Sequence, residues 1–292
     1  MKYKWIYFAI SGVVIIPGVI SLALWGLRPS VDFIGGTVWE LQLARDQGDW
    51  NEVQGQIDTL IENEGIEISG STLNDQGVVQ LRSSTITPDQ KKTIQQKYQD
   101  EITTDITELR FETVGPSLGR ELLIKTITGV SLAALLILAY IAWRFKEKMY
   151  GVCAVLAMLH DSIIVLGVFS LIGHFWGVEV DSLFVTAVLT ILSFSVHDTI
   201  VVYDRIRESI RKYPKLTFIE LINKAVGETL VRSINNSLTI IFMLSALLLL
   251  GGESIRWFVF ALLVGTIAGT YSSTFTAAPL LALWSEKLKK SK

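Results

Sequence analysis

Two pairs of adjacent residues stand where chemistry is costly: His160-Asp161 and His197-Asp198 both sit inside long apolar runs. An ionisable side chain at the centre of a bilayer costs about 2.5–3.5 kcal/mol on insertion scales, so such groups mark proton relays, ion paths or helix-pairing contacts. The strong apolar neighbours of Asp198, worth about −0.3 to −0.6 kcal/mol each, let its run insert despite the acid. Further along, Arg232, Asn235, Asn236 and Thr239 fall at i, i+3, i+4 and i+7, one polar stripe on an otherwise apolar helix. At about 1.5 Å per residue, Asp198 and Arg232 come within about one turn of each other in depth. They form either a switchable pair, whose carboxyl changes its proton affinity with separation, or a static ion pair that locks two helices. His197, beside Asp198, either shares its proton or only hydrogen-bonds. His160 and Asp161 lie deeper, about 18 Å from the end of their run. They either extend a proton path or are satisfied by helix–helix hydrogen bonds. Thr186, Thr190, Ser193 and His197 make a second polar line that fits a wetted seam.

Other chemistry is poorly supported. An intramembrane aspartyl protease would need Asp161 and Asp198 at one depth and a Gly-x-Gly-Asp sequence, which is lacking. No Walker loop occurs, so no nucleotide engine is expected. The lone Cys153 sits in an apolar run and reads as inert packing, with no metal pattern around it. No cofactor and no nucleic-acid partner is expected.

The elements that carry these residues are membrane spans. Half of the 292 residues are apolar and 18% are charged, with mean hydropathy +0.44; a soluble chain carries about a quarter charged. The net charge of −2 says little, because charge is segregated along the chain. Runs of roughly 20 apolar residues place six spans at about 5–27, 122–143, 149–172, 183–203, 234–250 and 257–284. The first could be a cleaved signal sequence, but its length and the lack of a small-x-small site favour a retained anchor. Basic residues cluster in alternate loops: Arg144, Lys146 and Lys148; then Arg205, Arg207, Arg211, Lys212, Lys215 and Lys224; then Lys287, Lys289, Lys290 and Lys292 in the tail. The positive-inside rule therefore puts both termini in the cytoplasm. Trp25, Trp143, Trp176, Trp257 and Trp284 fall near span ends, as interfacial aromatics do. Ala261, Gly265, Gly269 and Ser273, at every fourth position, allow close helix packing. The chain thus divides into a first span (1–27), an external domain (28–121), spans two to six (122–284) and a basic tail (285–292).

The external domain reads as α+β. Residues 37–43 alternate as a half-buried strand. Trp50, Val53, Ile57, Leu60 and Ile61 share a helical face over 50–64. Strands near 66–71 and 78–82 are joined by Asn74-Asp75-Gln76-Gly77. Thr87-Pro88 starts a second helix running to about residue 99, and 107–114 makes a last strand. This β-α-β-β-α-β order is the ferredoxin-like arrangement. Residues 28–121 hold 8 Lys/Arg against 17 Asp/Glu, a net of −9. That acidity either steers a basic partner or simply keeps the domain solvated. The domain has no His or Cys, hence no evident catalytic site.

Four stretches carry a family resemblance. Val31-Asp32-Phe33-Ile34-Gly35-Gly36-Thr37 resembles a D-F-x-G-G-T element after the first span. Val114-Gly115-Pro116-Ser117-Leu118-Gly119-Arg120-Glu121-Leu122 is similar to V-G-P-x-x-G-x-E-L. The run Ser195 to Glu208, including Asp198, Thr199, Asp204 and Arg205, matches S-x-N-D-T-x-V-x-x-D-R-I-R-E. Arg232-Ser233 resembles an arginine followed by Ser or Thr. The chain resembles the SecF family of SecD–SecF protein-export subunits, in the RND superfamily of proton-driven membrane proteins. It departs from the pattern at His197, where Asn is usual, and at Phe194, where Gly-Tyr is common at Ser193-Phe194. The resemblance implies an RND-like six-helix half in the bacterial plasma (inner) membrane, without an ATPase site. Asp198 would be the proton-coupling carboxylate and Arg232 its partner, with protons as the coupling ion. The implied partners are SecD, the SecYEG channel, SecA indirectly, precursor polypeptides and membrane lipids. The implied work is late-stage export driven by the proton-motive force. A six-span half of a small-molecule exporter is the alternative.

Overall fold

The computed structural model describes residues 1–44, 50–74, 76–102, 105–145 and 147–290. Asp75 of the expected turn, Lys146 of the expected basic loop and Lys292 of the tail lie outside them. The chain forms two compact units, one of Met1–Arg28 with Thr128–Lys292 and one of Pro29–Ile127.

The helix α1 (Lys4–Leu24) opens the first unit. The second unit contains α2 (Val31–Ile34), β1 (Gly36–Leu43), α3 (Trp50–Asn63), β2 (Ile68–Leu73), β3 (Val78–Ser83), α4 (Pro88–Glu101) and β4 (Ile106–Val114). The strands form one sheet in the order β2-β3-β1-β4, every neighbour antiparallel. Along β1 the period of two sends Trp39, Leu41 and Leu43 into the core and leaves Glu40 and Gln42 half-buried. Val53, Ile57 and Ile61 of α3 and Ile94 and Tyr98 of α4 cover that face. On the other face Gln80 donates to Glu40 (2.9 Å), and Arg110 lies 3.8 Å from Glu40 and 2.6 Å from Glu112. Thr87 caps α4 in a reciprocal capping box with Gln90, and Pro88 takes the first turn. The strand expected at 66–71 begins two residues later, because Ile68 is the residue that finds Ser83, the last of β3.

The two glycine motifs of this unit explain each other. A Cβ on Gly35 (φ 79°) would lie 2.7 Å from the Pro116 Cα, and one on Gly119 would lie 2.8 Å from the Gly35 nitrogen. Gly36 (φ 119°) would meet the Ser83 carbonyl at 2.7 Å. Backbone meets backbone there, and only glycine fits. Asp32 sits in the first turn of α2, whose N-cap Ser30 accepts from the Asp32 N–H.

The helical unit continues with α5 (Pro116–Arg144, shared with the second unit), α6 (Lys148–Trp176), α7 (Ser182–Lys212), α8 (Phe218–Leu250), α9 (Arg256–Ser272) and α10 (Ala278–Lys290). A π-helical turn, Ser273–Ala277, joins α9 to α10 without a break, so Arg256–Lys287 counts as one long apolar helix. Among the described residues, six helices are thus long and apolar enough to cross a membrane. Of the helices that outrun their expected spans, α7 and α8 do so furthest. The connection expected over 204–233 is mostly helix, broken only between Lys212 and Phe218, because hydropathy marks where lipid ends and not where hydrogen bonding ends. Lys212–Glu208 (2.9 Å) and Lys224–Glu228 (3.3 Å) at i,i+4 favour the extensions. The Thr217–Glu220 capping box starts α8.

Small residues set the helix crossings. A Cβ on Gly167 of α6 would lie 2.5 Å from the Gly18 Cα of α1, and one on Gly265 of α9 would lie 2.3 Å from Ile191 of α7. Cys153 is buried beside Tyr150 and Tyr203. Lys4 and Glu286 (2.5 Å) bring the start of α1 to the end of α10. At that end Asp204 takes Arg144, tying α7 to α5, and Arg205 takes Glu228 (2.6 Å), tying α7 to α8.

Candidate functional site

Asp198 lies on the inner face of α7, 6% exposed. Its carboxylate accepts a hydrogen bond from Ser233 Oγ of α8 at 3.0 Å. Arg232 does not pair with it. Successive residues on an α-helix point about 100° apart, so seating Ser233 against α7 turns Arg232 aside, where it is exposed. Asn235, Asn236 and Thr239 share that outward face. His197 is likewise exposed, one residue round α7 from Asp198, as are Thr186, Thr190 and Ser193. Both expected polar stripes therefore lie on the outside of two neighbouring helices. Next to Asp198, the buried Thr199 Oγ1 has no hydrogen-bond partner among the described residues.

Asp161 is better held. It is 1% exposed on α6. Its Oδ2 accepts from Ser195 Oγ of α7 and Ser272 Oγ of α9, both at 2.6 Å. Its Oδ1 lies 2.9 Å from His160 Nδ1, and His160 Nε2 lies 2.9 Å from Ser11 Oγ of α1. Ser11 in turn lies 3.4 Å from Thr276 Oγ1 in the π turn. One buried network thus joins four helices and the π turn. The two carboxylates share no partner, so no aspartyl dyad forms.

The sequence reading missed several of these residues. Ser195 opens the fourth-span signature, yet its role is visible only once Asp161 is seen across the helix crossing. Tyr203, in the same signature, donates to the Ala277 carbonyl at 3.0 Å, satisfying backbone within the π turn. Ser272 lies one residue before the last member of the small-residue stripe, whose Gly265 and Gly269 pack α9 on α7. Ser11 carried no signal at all.

The family described as "Protein export membrane protein SecD/SecF, C-terminal" matches residues 94–287. The protein translocase subunit SecF of Thermobaculum terrenum is 42% identical over 98% of this chain and 94% of its own. The chain belongs to the SecF family of protein translocase subunits. SecF of Anaerolinea thermophila is 40% identical, over 96% of this chain and 92% of that one. The fold is also similar to the crystal structure of SecDF, "a translocon-associated membrane protein", from Thermus thermophilus, with a TM-score of 0.82 and 30% identity. That match covers 98% of this chain but only 39% of the SecDF chain, so this SecF-family chain spans about two-fifths of its solved relative.

Proposed function

We propose that this membrane protein works as the SecF half of a proton-driven translocase, assisting late-stage export of precursor polypeptides across the bacterial plasma membrane. The observation that carries the reading is Asp198, a carboxylate buried in a membrane helix of a translocase-family subunit and hydrogen-bonded by the Ser233 hydroxyl. A charge crossing the membrane field gains about 2.3 kcal/mol per 100 mV, enough to bias a helix-bundle rearrangement. In this account Asp198 takes the proton. The exposed Arg232 and His197 become its partners when α8 or an apposed surface moves, and Asn235 and Asn236 face that same surface. Two exposed polar stripes are costly against lipid. They fit a second six-helix half, SecD, which the fused relative SecDF carries in one chain. The basic ends of α5, α6, α7, α8 and α10 read as cytoplasmic; on that reading both termini lie there and the α+β unit lies outside. The strand order β2-β3-β1-β4 with two crossover helices supports the ferredoxin-like assignment of that unit. SecYEG and, indirectly, SecA are the remaining partners. The test is Asp198→Asn in cells, following a precursor after its SecA-driven step. The variant inserts and assembles with SecD but loses gradient-dependent completion; unchanged completion removes Asp198 from the mechanism.

A further inference from the structure

We propose that His160 and Asp161 form a second site, which binds one proton and is separate from Asp198. The inference rests on the proton-driven reading only for its use in export; the binding itself stands on the geometry of the network.

With three hydrogen-bond partners, the Asp161 carboxylate is satisfied as an anion. Among the described residues no Lys or Arg bonds to it. The ionisable groups around it are few: His160 on its own helix and Tyr271 on α9, whose hydroxyl donates to the Tyr7 carbonyl of α1 (2.7 Å). On α7, Asp198 follows Ser195 by one turn. From α1, α9 and the π turn the facing groups are the hydroxyls of Ser11, Ser272 and Thr276.

Two proton counts fit the same heavy atoms. In one, neutral His160 donates from Nδ1 to Asp161 Oδ1, and its Nε2 accepts from the Ser11 hydroxyl. The pair then carries −1. In the other, a proton has formed an N–H bond at Nε2, which donates to Ser11 Oγ, and Ser11 turns its own hydrogen towards Thr276. The pair is then neutral. Every polar atom keeps a partner in both states, and the only change is the rotation of one hydroxyl. Both states are complete sets of hydrogen bonds, so the site can load and unload a proton by turning one hydroxyl.

The pair also borders a cavity and reaches a helix irregularity. Ser11 and His160 line a cavity of about 350 Å³ walled by Ile10, Val14, Ile164 and Tyr271. On the other side, Ser195 links the pair to α7, and Ser272 and Thr276 link it to the π turn, a helix irregularity that recurs at functional sites.

The test is infrared difference spectroscopy of the full chain in lipid vesicles, titrated from alkaline to acidic pH. In a chain carrying His174→Gln and His197→Gln, which leaves His160 as the one histidine, acid brings up an imidazolium signal that His160→Gln removes and Asp198→Asn leaves in place. Ser11→Ala, which keeps the bundle packing, weakens proton binding about threefold to tenfold by removing the Nε2 partner. In that background, an imidazolium signal that survives His160→Gln, or a titration unmoved by Ser11→Ala, overturns the proposal. Normal export in Asp198→Asn would instead sink the functional reading and leave this site standing.

Discussion

The two units solve burial in opposite ways. In the α+β unit Trp39, Leu41, Ile57, Ile61, Val79 and Ile94 are hidden and the charged groups lie at the surface in ion pairs. In the helical unit Leu132, Leu135, Leu136, Phe242 and Leu249 face outward, while His160, Asp161, Ser195, Asp198 and Ser272 are inside. The solvent explains the inversion. Water rewards hidden carbon, about 25 cal/mol per Å². Lipid is as apolar as leucine, so close backbone packing and hydrogen bonds hold the helices together. A buried carboxylate would be a defect in the first unit, and in the second it is the centre of the structure.

That contrast can be broken at several points. The largest effect falls on the α1–α6 crossing. Gly167→Leu puts a side chain where a Cβ already lies 2.5 Å from Gly18, with backbone on both sides. Folded protein recovered from membranes falls to near zero, whereas a leucine at exposed Gly129 leaves it unchanged. Next comes the apolar core of the other unit. Leu41→Ala, at a site fully buried on β1, costs about 2–5 kcal/mol, read by urea unfolding of that unit through Trp39 fluorescence. Ser272→Ala removes one of the three donors to Asp161 and costs about 1–3 kcal/mol, read as a lower melting temperature in detergent. The same change at exposed Ser69 costs almost nothing. The smallest effect sharpens the contrast from the other side. Asp58 on α3 has a buried Oδ1 without a hydrogen-bond partner among the described residues, and burial pushes its carboxyl above the ordinary 3.8, with Ser71 opposing the rise and Glu62 adding to it. The folded unit therefore holds this proton more tightly than the unfolded chain, and stability declines as pH rises from 3.8 through the raised value. Asp58→Asn removes that decline, so the variant gains slightly over the wild type at neutral pH and nothing in acid.

Much of the fold was legible because its signals are local. Thr87-Pro88 with Gln90 announces a helix start, and alternation in β1 announces a half-buried strand. Twenty apolar residues announce a span. The π turn at Ser273–Ala277 was not legible, since its residues are as compatible with a regular helix. The site divides in the same way. Asp198 and Asp161 were visible as charge in apolar runs, and Asp204 and Arg205 as motif. Their partners were not, because a partner depends on helix rotation. Depth counting put Arg232 near Asp198 correctly to within a turn, but could not say that Ser233 would face it. Serines such as Ser11 and Ser272 are common in membrane helices, and only the crossing geometry gives them a role.

The central claim is that protonation of Asp198 does mechanical work for export. Its most direct test imposes a proton gradient on inverted membrane vesicles that hold a half-translocated precursor. With the wild type, the gradient speeds completion and a protonophore abolishes the gain; with Asp198→Asn, the rate is the same with and without the gradient. An equal response to the gradient in both proteins would contradict the account.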